Sequence, residues 1–315
     1  MRPRPPRRVD LGILADRTER GRVAGRQARV RCADGGRGGC RRFGSPLESS
    51  VVHLLDFGAE TDRGTTRAIN EDSILASPPV FVVADGVGGS EGGEVASALV
   101  VEEFGRLATL PVIDADAVRA TLTSAHRRVR ELHARQLHGA SSTAVGVVGV
   151  MSGDEPYWVV FNIGDSRVYR LPTRNAPDDR PGLTQISVDH SHVQELVDAG
   201  VITADEAETH PERNLVTRAV GADEVAEPDF WMIPMVPGDR WLICSDGLLA
   251  DLPYAAVRDR VEQRTPAAET ARDLIGMALQ AGVTDNVSVI VIDVIGDGLA
   301  SAAQEATAVQ PHLEA

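Results

Sequence analysis

Aspartates recur at the ends of apolar, strand-like runs in this 315-residue chain. One aspartate after a strand is typical of a turn, because its side chain can bond to the nearby backbone. Several of them on an acidic chain favour a second interpretation, in which the strand ends converge and bring the carboxylates together. The aspartates concerned are Asp85, Asp165, Asp246 and Asp285.

Carboxylates that share a site cannot all stay ionised without cations between them. An oxygen-only ligand set suits hard divalent ions such as Mg²⁺ or Mn²⁺. Zinc is disfavoured because the sequence has no His- or Cys-rich ligand cluster. Two further acids, Glu71 and Asp72, are adjacent to each other upstream of Asp85. The sequence therefore predicts a magnesium or manganese centre, with a set of separate turns as the alternative.

A glycine-rich loop at 86–93 follows a strand-like run and precedes a predicted helix that begins near Glu94. This context is also that of a dinucleotide-binding turn. The spacing argues against that alternative, since Glu91 occupies the place of the third glycine and Asp85 would repel a pyrophosphate. We expect the glycines to allow a tight turn and a close approach of backbone carbonyls to a metal.

Charge divides the chain into unlike parts, although the formal net charge of the whole is −14. Residues 1–50 are rich in Arg, Gly and Pro and carry 13 arginines against five acids, while residues 51–315 carry 19 arginines against 41 acids. We expect 1–50 to be disordered, with a basic arm for nucleic acid or anionic lipid as the alternative. Residues 51–295 are expected to form the globular domain and 296–315 a loose tail.

The composition excludes several classes of protein. Hydrophobic residues make up 43% and charged residues 25%, which is unlike a collagen, a coiled coil or a fully disordered chain. The acidic body argues against non-specific nucleic-acid binding, and no apolar run reaches the ~18 residues of a membrane span. The three cysteines, Cys32, Cys40 and Cys244, are too few for a disulfide framework and favour a reducing, cytoplasmic location.

Strand and helix signals mix without strict βαβ alternation, which favours an α+β layered architecture. Apolar residues recur at steps of three and four over 114–138, which predicts an amphipathic helix. A second helix is predicted over 266–281, with Thr265 as its N-cap and Gly282 as its C-terminal glycine. The predicted strands are Val80–Ala84, 158–163, Arg167–Leu171, 241–244 and Val287–Val294.

Short motifs follow one another in a fixed order between residues 57 and 294. They are TDRG at 61–64, Arg67, NEDS at 70–73, ADG at 84–86, GEVAS at 93–97, STA at 142–144, GDSR at 164–167, DHS at 189–191, TRAVG at 217–221, SDGL at 245–248 and TDN at 284–286. Taken together, this series resembles the metal-dependent serine/threonine protein phosphatases of the PPM, or PP2C, family in its bacterial form.

The resemblance implies a four-layer α-β-β-α sandwich, in which two packed antiparallel sheets are flanked by helices. It implies hydrolysis of phosphoserine and phosphothreonine in proteins by a metal-activated water, which reverses Ser/Thr kinase signalling. The implied partners are phosphorylated proteins, with no nucleic acid and no membrane span. The sequence does not fix the oligomeric state, and a monomer is our expectation.

Carried over by position, the resemblance implies two catalytic Mg²⁺ or Mn²⁺ ions. Asp85 would be the ligand that both ions share. Asp246 and Asp285 would complete the ligands of the first ion. The carbonyl of Gly86 would bind the second ion.

The remaining site residues are also implied by the resemblance. Glu71 and Asp72 would act mostly through waters of the second ion. Asp165, together with Asp246, matches a weak third metal site of bacterial members. Arg67 stands where the family places a phosphate-binding arginine, and its planar fork suits that role.

The chain departs from the family's pattern at two positions. Ser90 stands where bacterial relatives usually have His, and Val87 stands where eukaryotic relatives have a His proposed as the general acid. Neither can donate a proton near neutral pH, so a metal-bound water becomes the expected proton donor.

An alternative function is a catalytically inactive PP2C-fold module that binds phosphoproteins. Such a module usually loses its metal ligands. The presence of Asp85, Asp246 and Asp285 therefore favours the enzyme.

Overall fold

The structure is a computed structural model, and part of the chain is described. The Arg-rich segment 1–50, residues 297–315 of the expected tail and Ser90 lie outside that part. The described residues are 55–87, 92–133, 139–153, 155–173, 182–222 and 224–296.

Two five-stranded antiparallel sheets form the centre of the fold. The first contains β1 (Leu55–Asp62), β8 (Arg167–Leu171), β9 (Thr184–Gln185), β11 (Arg240–Cys244) and β12 (Val287–Val294), in the order β1-β12-β11-β8-β9. The second contains β2 (Ser73–Ser77), β3 (Val80–Ala84), β6 (Ala144–Ser152), β7 (Glu155–Ile163) and β10 (Asp229–Pro234), in the order β10-β7-β6-β3-β2. A short ribbon pairs β4 (Gly86–Val87) with β5 (Ser141–Ser142).

Apolar side chains fill the space between the two sheets. Trp158 of the second sheet meets Trp241 of the first edge to face, with ring centroids 6.0 Å apart. Along β12, Ile290 points into this space while its neighbour Val289 belongs to the core under the helices. Both faces of this strand are therefore buried, which explains its nearly continuous apolar sequence.

Helices cover the outer face of each sheet. Phe104 stacks on Phe161 of the second sheet with ring centroids 4.7 Å apart, and Leu274 packs in one apolar cluster with Val289 of the first sheet. The α+β, four-layer α-β-β-α sandwich is thereby confirmed. The helices are α1 (Gly93–Leu107), α2 (Ala115–His133), α3 (His192–Asp198), α4 (Ala204–Ala207), α5 (Gly247–Ala250), α6 (Tyr254–Glu262) and α7 (Ala267–Ala281).

The predicted strands are confirmed, and β7 begins three residues earlier than predicted. The helix predicted over 114–138 is present as α2, and residues 134–138 lie outside the described residues. The prediction of Thr265 as the N-cap of α7 is wrong. Pro266 occupies the cap, and its carbonyl accepts the Thr270 N–H at 2.9 Å. The Thr265 hydroxyl pairs with the Thr270 hydroxyl at 3.0 Å.

The end of α7 follows the sequence prediction. Gly282 adopts a left-handed conformation with φ of 85°, which glycine enters at little cost. None of the helices in the described ranges has the length and apolar character that a membrane span requires.

Candidate metal centre

The predicted site aspartates stand at strand ends that both sheets contribute. Asp85 follows β3, Asp165 follows β7 after one glycine, and Asp246 follows β11 after one serine. Asp285 precedes β12 by two residues. Because β3 and β7 belong to one sheet and β11 and β12 to the other, the convergence depends on the packing of the two sheets.

Asp85 is a buried member of this group with a strongly raised pKa. Burial raises the pKa of Asp85 well above its usual value, and the negative charges of Asp72, Asp246 and Asp165 raise it further. The same carboxylates must therefore lie within electrostatic range of Asp85. An Asp85 carboxylate in this position is stabilised in its charged form by a cation.

Asp165 and Asp246 share this environment. Burial raises the pKa of Asp165 well above its usual value, with Asp246 as the next cause. Burial also raises the pKa of Asp246, followed by the charge of Asp285. The structure thus brings the aspartates together instead of placing them in separate turns.

Asp72 is buried, with 7% of its surface exposed. Its Oδ2 accepts hydrogen bonds from the hydroxyls of Ser288 at 2.7 Å and Ser245 at 2.9 Å. Burial raises the pKa of Asp72 to about 6, although both serines lower it. The second oxygen, Oδ1, is buried and has no hydrogen-bond partner, which is unusual for a buried polar atom.

The backbone of Gly86 lies in close contact with the backbone of Glu71 and of Gly93. Its N–H donates to the carbonyl of Glu71 at 3.1 Å, and a Cβ added at Gly86 would stand 2.5 Å from the backbone of Gly93. The backbone N–H of Glu71 in turn donates to Oδ1 of Asn286 at 2.8 Å. Burial raises the pKa of Glu71, and the charge of Glu94 raises it further.

Arg67 lies on the exposed side of the group. Its Nη2 donates to Oδ2 of Asp285 at 2.7 Å, and the two side chains are 44% and 37% exposed. This hydrogen bond is the main cause that raises the pKa of Arg67. The arginine therefore joins the aspartate group at its solvent side.

The donor atoms fit a hard divalent ion. The converging groups are carboxylates, and two buried carboxylate oxygens, Asp72 Oδ1 and Glu94 Oε2, have no hydrogen-bond partner. Within the described ranges, no three His, Cys, Asp or Glu side chains are arranged as a ready metal-binding cluster. Oxygen donors of this kind suit Mg²⁺ or Mn²⁺, and the ligand set itself stays a proposal.

Sequence reasoning gave no role to the residues that hold the carboxylates. The N–H of Thr143 donates to the Asp85 carbonyl at 2.8 Å, and its hydroxyl accepts the Asp85 N–H at 3.0 Å. Ser288 interrupts the apolar run of β12 near its start, and a polar residue at that place is the signal that could have revealed it. Thr143 and Asn286 stood inside recognised motifs without an assigned function.

Cys244 lies beside the group but is chemically inert. It is fully buried, and burial raises the pKa of its thiol to about 12. A thiol held neutral in this way is a poor nucleophile.

Comparison with known proteins shows which family this chain belongs to. The family model for protein phosphatase 2C matches residues 67–282. The chain belongs to the protein phosphatase 2C family. The sequence resemblance is thereby confirmed.

Two curated relatives of this protein phosphatase 2C chain carry phosphatase names. The serine/threonine protein phosphatase PstP of Mycobacterium tuberculosis is 39% identical over 253 residues, which are 78% of this chain and 46% of PstP. The serine/threonine phosphatase stp of Listeria monocytogenes is 30% identical over 246 residues, which are 74% of this chain and 93% of that protein. The chain thus spans about half the length of PstP.

Solved structures of the family have the same fold. The catalytic domain of PstP in complex with two manganese ions matches with a TM-score of 0.67 and 36% identity, over 77% of this chain and 99% of that one. Stp1 from Staphylococcus aureus matches with a TM-score of 0.69 and 28% identity, over 81% of this chain and all of that one.

Proposed function

We propose that this chain is a Mg²⁺- or Mn²⁺-dependent protein phosphatase that hydrolyses phosphoserine and phosphothreonine in proteins and so reverses Ser/Thr kinase signalling. The observation that carries the proposal is the buried carboxylate group around Asp85, whose members raise each other's pKa. Family membership supports it, since the curated relatives are named as serine/threonine phosphatases.

Asp85, Asp246, Asp285 and the carbonyl of Gly86 are the proposed direct ligands of two ions. Glu71 and Asp72 are the proposed acceptors for waters of the second ion, and Asp165 with Asp246 the ligands of a weak third. Bound divalent ions supply an activated water as nucleophile and neutralise charge on the phosphate.

The proposed role of Arg67 is to bind the phosphate group of the substrate. Its side chain is 44% exposed and its guanidinium is held beside the carboxylates by Asp285, so its remaining N–H donors can reach an anion at the same opening. A planar guanidinium donates two parallel hydrogen bonds to phosphate oxygens, which a lysine ammonium cannot do.

Two further contacts keep the carboxylates in place. Thr143 bonds to both backbone polar groups of Asp85, which fixes the direction in which that side chain leaves the strand. Ser245 and Ser288 occupy one oxygen of Asp72 and leave the other oxygen available.

Val87 carries no ionisable group, so this position cannot protonate the leaving group.

The proposed partners are phosphorylated proteins, and the proposed setting is the cytoplasm with the chain as a monomer. The acidic body and the small number of cysteines support this setting.

The test is phosphate release from phosphoserine and phosphothreonine peptides in the presence of Mn²⁺. We expect turnover by the wild type and by Asp116→Ala, which alters an exposed aspartate on α2. Asp246→Ala should lose at least about a thousandfold, or ~4 kcal/mol of transition-state stabilisation. Peptide binding without any phosphate release by the wild type would instead favour the inactive binding module.

A further inference from the structure

His190 is a buried histidine whose two ring nitrogens both contact polar groups. It is 4% exposed. Its Nδ1 lies 3.2 Å from the backbone nitrogen of Gly164, and its Nε2 lies 2.9 Å from Oδ2 of Asp229. A backbone N–H can only donate, so Nδ1 must accept and the ring proton must sit on Nε2, where it is donated to Asp229.

The Gly164 backbone is held on both of its polar groups. Its N–H donates to Nδ1 of the His190 ring. Its carbonyl accepts hydrogen bonds from the backbone N–H of His190 at 2.9 Å and from Nδ2 of Asn162 at 2.9 Å. Two of these three hydrogen bonds come from His190. Gly164 has φ of 112° and directly precedes Asp165.

Thr143 borders Gly164 closely as well. A Cβ added at Gly164 would stand 2.6 Å from Cγ2 of Thr143. Thr143 also holds the backbone of Asp85, and its hydroxyl lies 2.9 Å from the hydroxyl of Ser166. The residues on each side of Asp165 are therefore fixed relative to Asp85.

We propose that His190, as the neutral tautomer protonated on Nε2, is a positioning residue that places the Asp165 carboxylate at the metal centre by accepting the Gly164 N–H. The inference rests on the proposed function, because the position of the Asp165 carboxylate matters only if Asp165 binds an ion. The Asp229 contact orients the ring, and the Gly164 contact sets the turn.

The two contacts of the ring can be separated by substitution. In His190→Asn, the amide oxygen stands near the place of Nδ1 and can still accept from Gly164, but the side chain is too short for Asp229. In His190→Gln, the amide nitrogen stands near the place of Nε2 and can still donate to Asp229, while the acceptor for Gly164 is lost. Each variant thus removes one hydrogen bond of the ring and keeps the other.

The experiment measures Mn²⁺ binding by the paramagnetic signal of free Mn²⁺, with Asp165→Asn as the reference for loss of the weak site. His190→Gln should weaken weak-site binding at least about tenfold, as expected for a residue behind a metal ligand. His190→Asn should stay within about threefold of the wild type, because the contact to Gly164 remains. The tighter Mn²⁺ sites should be unchanged in both variants.

Equal losses in the two histidine variants, or no loss in either, would overturn the inference and leave His190 with a purely structural role. If Asp165→Asn itself retains the weak site, the third-ion part of the proposed function fails and the inference fails with it. If Asp165→Asn loses the site and His190→Gln keeps it, only the inference fails.

Nitrogen NMR of the wild type gives a test that needs no variant to fold. We expect the His190 ring to carry its proton on Nε2 alone. A proton on Nδ1 would contradict the inference, because that nitrogen could not accept from Gly164.

Discussion

The Nη2 atom of Arg67 lies 2.7 Å from Oδ2 of Asp285, although 218 residues separate them in the chain. The proposed phosphate-binding group and a proposed metal ligand thus share one ion pair. Both side chains are more than one third exposed, and such pairs contribute about 0–1 kcal/mol to stability. The role of Arg67 in binding phosphate can therefore be tested without a large effect on folding.

Arg67→Ala should weaken inhibition by inorganic phosphate and raise KM for a phosphopeptide. Hydrogen bonds to charged groups contribute about 1.5–3 kcal/mol, so we expect both constants to rise about 10-fold to 100-fold. For Arg67→Lys, both constants should lie between those of the wild type and of Arg67→Ala, since lysine keeps the charge but lacks the planar fork. Arg119→Ala, at an exposed ion pair on α2, is the control, and an unchanged inhibition constant in Arg67→Ala would refute the assignment.

The buried carboxylates should make the metal-free protein less stable as the pH rises. The folded pKa of Asp72 is about 6 against a usual value of 3.8, so the folded state holds more protons between these two values. The free energy of unfolding then falls as the pH rises through this window, by about 3 kcal/mol for a shift of two pKa units. EDTA-treated protein should melt at a lower temperature at pH 7.5 than at pH 5.

Asp72→Asn isolates this contribution. In EDTA, the variant should melt at a higher temperature than the wild type at pH 7.5, because it carries no buried charge there. The difference should shrink toward pH 5, where Asp72 is protonated. A variant that is less stable than the wild type at pH 7.5 in EDTA would contradict the raised pKa.

Gly86→Ala should disrupt the backbone contact next to Asp85. The added Cβ would stand 2.5 Å from backbone atoms of Gly93, so either the loop or the start of α1 must shift, at a cost of about 1–3 kcal/mol. Gly105→Ala is the matched control, because nothing lies within 4 Å of its added Cβ. In the helix interior that change should raise stability by about 0.5–1 kcal/mol. Equal melting temperatures for the two variants would argue against the close contact.

Replacement of Asp85 should affect activity more than replacement of Asp165. Asp85→Ala removes the proposed ligand of both ions and should lose at least about a thousandfold in turnover. Asp165→Ala should lose less, and more on phosphopeptides than on p-nitrophenyl phosphate, whose leaving group needs little protonation. Equal losses on both substrates would rule out a water on the weakly bound third ion as the proton donor. Retention of more than about a tenth of wild-type turnover by Asp85→Ala would refute the two-ion assignment.

Local patterns were sufficient to predict the strands that carry the site. The apolar runs of β3 and β12 and the aspartates beside them are visible in the sequence, because burial on both faces leaves a nearly continuous apolar stretch. The four-layer fold was predicted from the family resemblance that the order of the motifs carries. The packing of the two sheets confirms that prediction.

The contacts that hold the carboxylates could not be predicted from the sequence. Ser288 bonds to Asp72 across 216 residues, and His190 bonds to Gly164 across 26. No local pattern states such pairings, since they arise only when the sheets pack. The cap of α7 differs from the prediction through a local contact instead, since the Thr265 hydroxyl pairs with the Thr270 hydroxyl five residues further along the chain.

The most direct test of the metal-dependent phosphatase is a Mn²⁺ titration of EDTA-treated, dialysed protein, with phosphate release from a phosphothreonine peptide as the readout. The carboxylate donors predict no turnover before addition, recovery with Mn²⁺ or Mg²⁺, and no recovery with Zn²⁺. Turnover that survives exhaustive chelation would contradict the proposed metal centre around Asp85.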